Sequence, residues 1–445
     1  MVRVHPERFN LARAVKLGTF HIGSSAADLL VSAIWNRVMI VELGVVAWPV
    51  ALLSALRYLL APLSLWAGHR SDSRPLLGTR RLGYIWLGRG LMLLALPLLP
   101  WSTVLLARQT GSADGWSLAL LSFTLFGIGT LLSGPAYLAL VHDSVPYAWR
   151  GQAVGVVQFM LVASFAFLPL LFARMMPAYE PGTYWRMVLV SMAAAAGLWF
   201  LSVWREERPA AAPAGSAQPR PLRAVLSGIW AGQSTRRYAL FLGASAFFAF
   251  FQDAVLEPFG GDVFDLTVGE TTRFNAYWGS GLLVGMLAAL AVTRRRDPDQ
   301  QVGATAWGLA WMGLPLLALG AASAQASLAW VRPLLLVFGL GFGVFTVGGV
   351  SLLMAMSRER HAGTYLALWS AIQLVSRGAG IAAGGALRDL ALALLAGFPG
   401  AYAAVFWLEA LGALGCILLL RRVDVAGFAA ERRTVEPAEA LAGAG

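Results

Sequence analysis

Trp116–Val141 reads WSLALLSFTLFGIGTLLSGPAYLALV, with no charged side chain. It is longer than the ~20 helical residues needed to cross a ~30 Å hydrocarbon core. Working outward, comparable apolar runs bounded by charge or turn residues cover 17–42, 45–67, 83–107, 152–176 and 184–204. After a Pro- and Ala-rich interval, six more cover 238–257, 273–293, 302–321, 329–355, 362–384 and 398–420. Together these runs predict an all-α integral membrane protein of twelve transmembrane helices. Composition agrees: of 445 residues, 58% are apolar and 13% charged, against roughly 25% charged in soluble domains. Once the spans are filled, no room remains for a soluble catalytic domain. Cys416 is the single cysteine, which excludes a disulfide framework and a cysteine metal site.

The chain carries 34 basic and 23 acidic residues, a net charge of +11, and every basic residue except Lys16 is arginine. Of these 34, 24 fall on the side shared by both termini, 6 on the other side and 4 inside spans, and the main clusters are Arg70, Arg74, Arg80 and Arg81; the interval from Arg205 to Arg237; Arg294, Arg295 and Arg296; Arg358 and Arg360; and Arg421, Arg422, Arg432 and Arg433. The positive-inside bias puts these loops and both termini in the cytoplasm, so the basic surplus reports topology rather than nucleic-acid binding. Arg3 to Lys16 reads as a basic amphipathic lead-in with no cleavage site, so no signal peptide is expected to be removed. Pro209-Ala-Ala-Ala-Pro213 and Pro219-Arg-Pro221 mark a flexible linker. The expected organisation is therefore a six-helix half over 1–204, a cytoplasmic linker over 205–237, a second six-helix half over 238–420 and a cytoplasmic tail over 421–445.

Two six-helix halves predict a parallel repeat of the major facilitator kind, with binding near the midplane between halves. Gly68-His-Arg-Ser-Asp72 followed by Gly78-Thr-Arg80-Arg81 resembles the signature of that superfamily, with about three extra residues after Asp72. Gly68, Asp72, Gly78, Arg80 and Arg81 are thus the expected cytoplasmic gate, with Asp72 placed to accept from a helix N-terminus or from arginines of the other half. The second-half counterpart, Arg294-Arg-Arg-Asp297, lacks the glycines.

Polar side chains at span depth are costly and need partners or a function. They include Asp28, Asn36, Arg37, Arg57, Arg89, Gln252, Asp253, Arg377 and Glu409. Arg57, Arg89 and Arg377 suit structural pairing with acids or helix-end carbonyls as well as a site, and Glu409 suits a structural role. Arg37 and Glu257 fall at equal depth, about 30 Å up spans 1 and 7 at 1.5 Å per residue. That depth suggests a periplasmic-side ion pair or cluster of Arg37, Glu42 and Glu257, with Asp262 as a further candidate. On a continuous helix Asp253 and Glu257, four apart, share one face, as a proton relay or an anion site would need. The pairs Gly281/Gly285 and Gly380/Gly384 have the spacing of close helix packing. Only His21 among the five histidines lies inside a span, about one turn in, so a multi-histidine metal site is not expected. No phosphate-binding loop or Ser-His-Asp pattern is present, which argues against ATP-driven transport and hydrolysis.

Three strings go further: Trp35-Asn36-Arg37-Val-Met-Ile-Val-Glu42-Leu-Gly44; Leu56-Arg57-Tyr58 with Ala61-Pro62 through Asp72; and Arg81-Leu-Gly-Tyr84-Ile-Trp86-Leu-Gly88-Arg89. A fourth is Gln252-Asp253-Ala-Val-Leu-Glu257-Pro258-Phe-Gly260-Gly261 followed by Thr271-Thr272. On these the sequence resembles the PucC-like family, the bacteriochlorophyll-delivery branch of the major facilitator superfamily, over nearly its whole length. The resemblance implies a non-enzymatic assembly factor for light-harvesting complexes in the bacterial cytoplasmic, photosynthetic membrane. Its implied cargo is bacteriochlorophyll, and its implied partners are antenna polypeptides, pigment-biosynthetic enzymes and membrane lipids. The implied site residues are Asn36, Arg37, Glu42, Arg57, Arg89, Gln252, Asp253 and Glu257. A prenyl-transferring synthase would need an Asp-rich diphosphate site that the chain lacks. Magnesium in a chlorophyll takes one axial ligand, for which His21, Asn36 and Gln252 are the candidates. The alternative function is proton-coupled transport of an anionic solute.

Overall fold

A computed structural model describes residues 9–64, 76, 78–146, 149–207, 230, 232–357, 362–395, 397–425 and 427–428. Among them the structure is all helical, apart from one isolated bridge between Leu76 and Thr79. Six helices come first: α1 (Leu11–Glu42), α2 (Ala47–Ser64), α3 (Leu82–Arg108), α4 (Ala113–Ser144), α5 (Arg150–Met175) and α6 (Pro181–Val203). Then follow α7 (Gln233–Ala249), α8 (Leu256–Phe264), α9 (Val268–Thr293), α10 (Val302–Ala324), α11 (Leu328–Ala355), α12 (Ala362–Leu395) and α13 (Phe398–Arg421). Among the described residues eleven helices are long and apolar enough to cross a membrane, and the protein is a multi-pass membrane protein. The described residues divide into two compact units. One draws on Met1–Pro213 and Gly260–Ala276, the other on Ala214–Phe259 and Tyr277–Gly445.

Some helix starts carry their cause in the sequence. Asn10 caps α1 by accepting from the Arg13 amide at 3.0 Å, and Ser112 caps α4 through the Gly115 amide at 3.3 Å. The Asn10 cap starts α1 six residues before the apolar run at Leu17. His21 therefore lies ten residues into the helix, not one turn. Pro181 begins α6, where its missing N–H costs nothing. Pro97 interrupts α3 between Leu82–Ala95 and Leu98–Arg108.

The seventh expected span, 238–257, is broken. α7 stops at Ala249, residues 250–255 form turns, and α8 restarts at Leu256. Pro258 explains the break, because its ring excludes a helical carbonyl at residue 254. Turn-type bonds fill the gap, such as Asp253 N–H to the Phe250 carbonyl at 3.2 Å and Val255 N–H to the Gln252 carbonyl at 2.9 Å. The rise computed for Glu257 on a continuous helix does not apply. Nor do Asp253 and Glu257 share one helix face: Asp253 belongs to the turn and Glu257 to the first turn of α8.

α1 departs from regular geometry too. Two π-helical turns, Leu30–Ile34 and Val38–Glu42, bracket Trp35-Asn36-Arg37. Such turns are rare and recur at functional sites, because the extra residue per turn re-aims the side chains beside it. The glycine pairs pack as their spacing predicts. A Cβ on Gly281 or Gly285 would run into the carbonyls of Leu336 or Leu340 on α11. One on Gly380 or Gly384 would meet those of Phe247 or Phe251.

Candidate functional site

A ladder of buried polar side chains climbs α1 inside the first unit. At its foot, near the start of α1, the Glu206 carboxylate accepts from Arg13 Nε and Lys16 Nζ, each at 2.7 Å. Beside it Glu207 receives the backbone amides of Arg80, of Arg81 at 3.2 Å and of Leu82 at 2.8 Å. An anion on the positive end of α3 is the favoured arrangement. Gly78, at φ +75°, makes the turn that leads into this helix, with Leu76 and Thr79 exchanging backbone bonds across it. Arg81 reaches Asp143 at 3.5 Å. Gly68 and Asp72 lie outside the described residues. Among the described residues the acid at the α3 N-terminus is Glu207, which the motif reading did not include because a segment some 125 residues away in sequence supplies it.

Five residues above Lys16 stands His21, with ring centroids 5.2 Å from Tyr137 and 6.1 Å from Phe20, both edge-on. Phe20 and Tyr137 themselves stack at 3.9 Å, and the Tyr137 hydroxyl donates to the Leu17 carbonyl at 2.7 Å. His21 Nε2 is shielded from solvent and has no hydrogen-bond partner among the described residues. Arg89, from α3, is buried between the rings of Phe20 at 4.3 Å and Trp199 at 4.7 Å, with one guanidinium nitrogen on Met92 Sδ at 3.1 Å. Arg89 therefore differs from the pairing with an acid that its depth suggests: aromatic faces hold the cation instead.

Next comes an ion pair. Arg57 Nη1 meets Asp28 Oδ1 at 2.6 Å, and Arg57 Nη2 donates to the Tyr58 hydroxyl at 2.6 Å. Asn36 follows, buried, its Oδ1 accepting from the Ser54 hydroxyl at 2.8 Å while its Nδ2 lacks a partner. At the top, Arg37 binds Glu42 at 3.1 Å and the Leu266 carbonyl at 2.8 Å. Below Leu266, Gly261 lies against the guanidinium. Tyr179, in the loop between α5 and α6, has its phenol pushed up from the usual value by burial and by the nearby Glu42 charge.

In the second unit the residues are placed differently. Asp253 Oδ2 lies 3.4 Å from Arg377 Nη2, and the Arg377 guanidinium sits 3.7 Å from the Phe250 ring centre. Gln252 is buried at the break, and its Oε1 has no partner among the described residues. Glu257 is buried in the first turn of α8. Glu409 is 0% exposed, and among the described residues neither carboxylate oxygen has a hydrogen-bond partner. Of the three candidate axial ligands, Asn36 has committed its oxygen, whereas His21 Nε2 and Gln252 Oε1 have no partner among the described residues.

Comparison with known proteins sets this geometry in a family. Residues 34–428 match the family described as "PUCC protein". "Protein PucC" of Rhodovulum sulfidophilum is 31% identical over 396 residues, 86% of each chain. A Rhodobacter capsulatus protein named "Bacteriochlorophyll synthase 44.5 kDa chain" is 28% identical and covers 95% of this chain and 98% of its own. Among solved structures, a POT family transporter crystallised with a thioalcohol-conjugated peptide superposes with a TM-score of 0.69 at 12% identity, covering 93% of this chain and 96% of that one. At that identity the likeness concerns the fold, which is the major facilitator fold. The match across nearly the whole chain, including the strings around Arg37, Arg57, Arg89 and Asp253, makes this protein a member of the PucC family.

Proposed function

We propose that the protein is a non-enzymatic assembly factor for bacterial light-harvesting complexes, which holds bacteriochlorophyll as cargo and passes it to antenna polypeptides in the photosynthetic cytoplasmic membrane. Family membership supports the pigment class. The observation that carries the reading is His21: an imidazole nitrogen free of hydrogen bonds, set among the rings of Phe20 and Tyr137. A neutral imidazole is a common metal ligand, and aromatic faces suit a flat macrocycle. His21 lies about 7.5 Å along the helix beyond Lys16, within the cytoplasmic leaflet, where an apolar pigment already partitions. Entry is then lateral, from lipid, and delivery needs no aqueous channel.

The test is the absorption spectrum of the purified protein from a pigment-producing host. The wild type carries bound tetrapyrrole, His21→Ala loses most of it, and Gln252→Leu retains it. Pigment content unchanged in His21→Ala and lost in Gln252→Leu moves the ligand to Gln252. Pigment in none of the three overturns the reading. The second reading, proton-coupled transport of an anionic solute, is favoured by Arg377 and Asp253 in the second unit; it requires pH-driven uptake into liposomes by pigment-free protein.

A further inference from the structure

In the second unit α13 packs across the break between α7 and α8. The Phe406 ring of α13 lies 5.0 Å from that of Phe259 in α8, and a Cβ on Gly412 would run into the Phe248 ring of α7. Phe248 and Phe259 flank the turns of 250–255, so the stretch of α13 from Phe406 to Gly412 lies level with those turns. Glu409 is its middle residue. At about 100° per residue it projects within about 60° of both Phe406 and Gly412, toward the same elements.

Glu409 thus brings a carboxylate to a segment already rich in unused acceptors. It is 0% exposed, and neither of its oxygens has a hydrogen-bond partner among the described residues. Gln252, in the turns, is 3% exposed, and its Oε1 has no partner among them either. Pro258 has no N–H to give the Ala254 carbonyl. The Asp253 charge acts on Glu409 but is of like sign, and Asp253 itself pairs with Arg377.

A proton on Glu409 could serve one of these oxygens and its neighbour, but not the set. Buried groups left unsatisfied in a packed protein point to a bound ion or water, and a buried charge needs a partner of opposite sign. Carboxylate, amide and carbonyl oxygens together are the ligand chemistry of hard cations. One uncompensated carboxylate matches a single positive charge. The break contributes as well: α7 ends at Ala249, with the negative end of its dipole toward the turns, while the positive end of α8 is met by Glu257 in its first turn. Unwound backbone inside a span is a general way to present carbonyls to a cation.

We propose that a small monovalent cation binds at the break between α7 and α8, held by the Glu409 carboxylate, with Gln252 Oε1 and the Ala254 carbonyl as further oxygens. The site lies wholly within the second unit and rests on neither the pigment reading nor the solute reading.

The experiment follows the thermal unfolding midpoint of the purified full-length protein as sodium chloride replaces choline chloride at constant ionic strength and pH, with radioactive sodium binding measured in parallel. Sodium raises the wild-type midpoint saturably, and the protein retains bound sodium. Glu409→Gln keeps the side-chain shape and removes the charge; it abolishes both responses, and in choline, where the carboxyl has no cation to hold, it unfolds at or above the wild-type midpoint. Gln252→Leu raises the sodium needed for half the effect about tenfold or more. Glu207→Ala, in the first unit, responds as the wild type does. Glu409→Asp, which keeps the charge but withdraws it by one methylene, is the second variant at that position and also needs about tenfold more sodium. A wild-type midpoint indifferent to sodium, or a sodium response that survives Glu409→Gln, overturns the site. An unchanged half-point in Glu409→Asp overturns ligation by Glu409, and one in Gln252→Leu overturns ligation by Gln252.

Discussion

The Arg37 guanidinium rests on Gly261: a Cβ at that glycine would stand 2.6 Å from Cζ and Nη2. The bare backbone of α8 is what admits the cation between Glu42 and the Leu266 carbonyl. The neighbouring Gly260 is equally confined, since a Cβ there would fall 2.6 Å from Thr271 Cγ2 and 2.7 Å from Phe274. Gly260-Gly261 is thus a packing requirement that the family string encodes.

Gly261→Ala should push Arg37 off the Leu266 carbonyl and destabilise the protein by about 1–3 kcal/mol, the usual cost of overpacking. Thermal unfolding in detergent measures it. In an Arg37→Ala background the same substitution should cost far less, because the atoms it strikes are gone. Equal costs in both backgrounds would show that Gly261 serves something other than Arg37.

Arg57 and Asp28 form a half-buried pair in the first unit, with side-chain exposures of 8% and 32%. Arg57→Gln takes from Asp28 its hydrogen-bonded cation and should lower stability by about 1–2 kcal/mol, less than for a fully buried pair because the carboxylate is half-buried. The Asp28→Asn/Arg57→Gln double variant should recover part of that loss, since two neutral amides carry no uncompensated charge. A double variant as unstable as the sum of both singles would contradict the coupling.

Glu206 and Glu207 bind the N-terminal ends of α1 and α3. Glu207→Ala removes the acceptor for the amides of Arg80, Arg81 and Leu82, and should cost about 1 kcal/mol, as loss of an N-terminal cap does. Hydrogen exchange should speed up at the start of α3 and stay unchanged at the start of α4. Unchanged protection at Arg81 and Leu82 would remove the capping role.

Glu409 is the opposite case, a carboxyl wholly buried in α13 without a hydrogen-bond partner. Replacing an unpartnered buried polar group by an apolar one of similar shape is often neutral or stabilising. Glu409→Leu should therefore raise the thermal midpoint. A lowered midpoint would mean that the carboxyl makes an interaction in the working protein that the resting packing lacks.

The transmembrane character, the location of nearly every helix and the helix-packing glycines were written in local sequence. Hydropathy over ~20 residues is a property of composition, so runs such as 116–141 needed no tertiary information to appear as α4. Asn10, Ser112 and Pro181 announced their helix ends because caps act within three residues. Pro258 also carried a local signal for the break at 250–255, overlooked because the run on either side is apolar. Other features arose only on folding. The π turns around Asn36 and Arg37 have no proline or glycine to announce them. Glu207 reaches α3 from the far end of α6, and Arg89 is held between Phe20 and Trp199 of two other helices. Asp253 finds Arg377 some 124 residues along the chain. A buried charge takes whichever acceptor or ring the packed helices bring within a few ångströms, and sequence spacing carries that information only along a single helix.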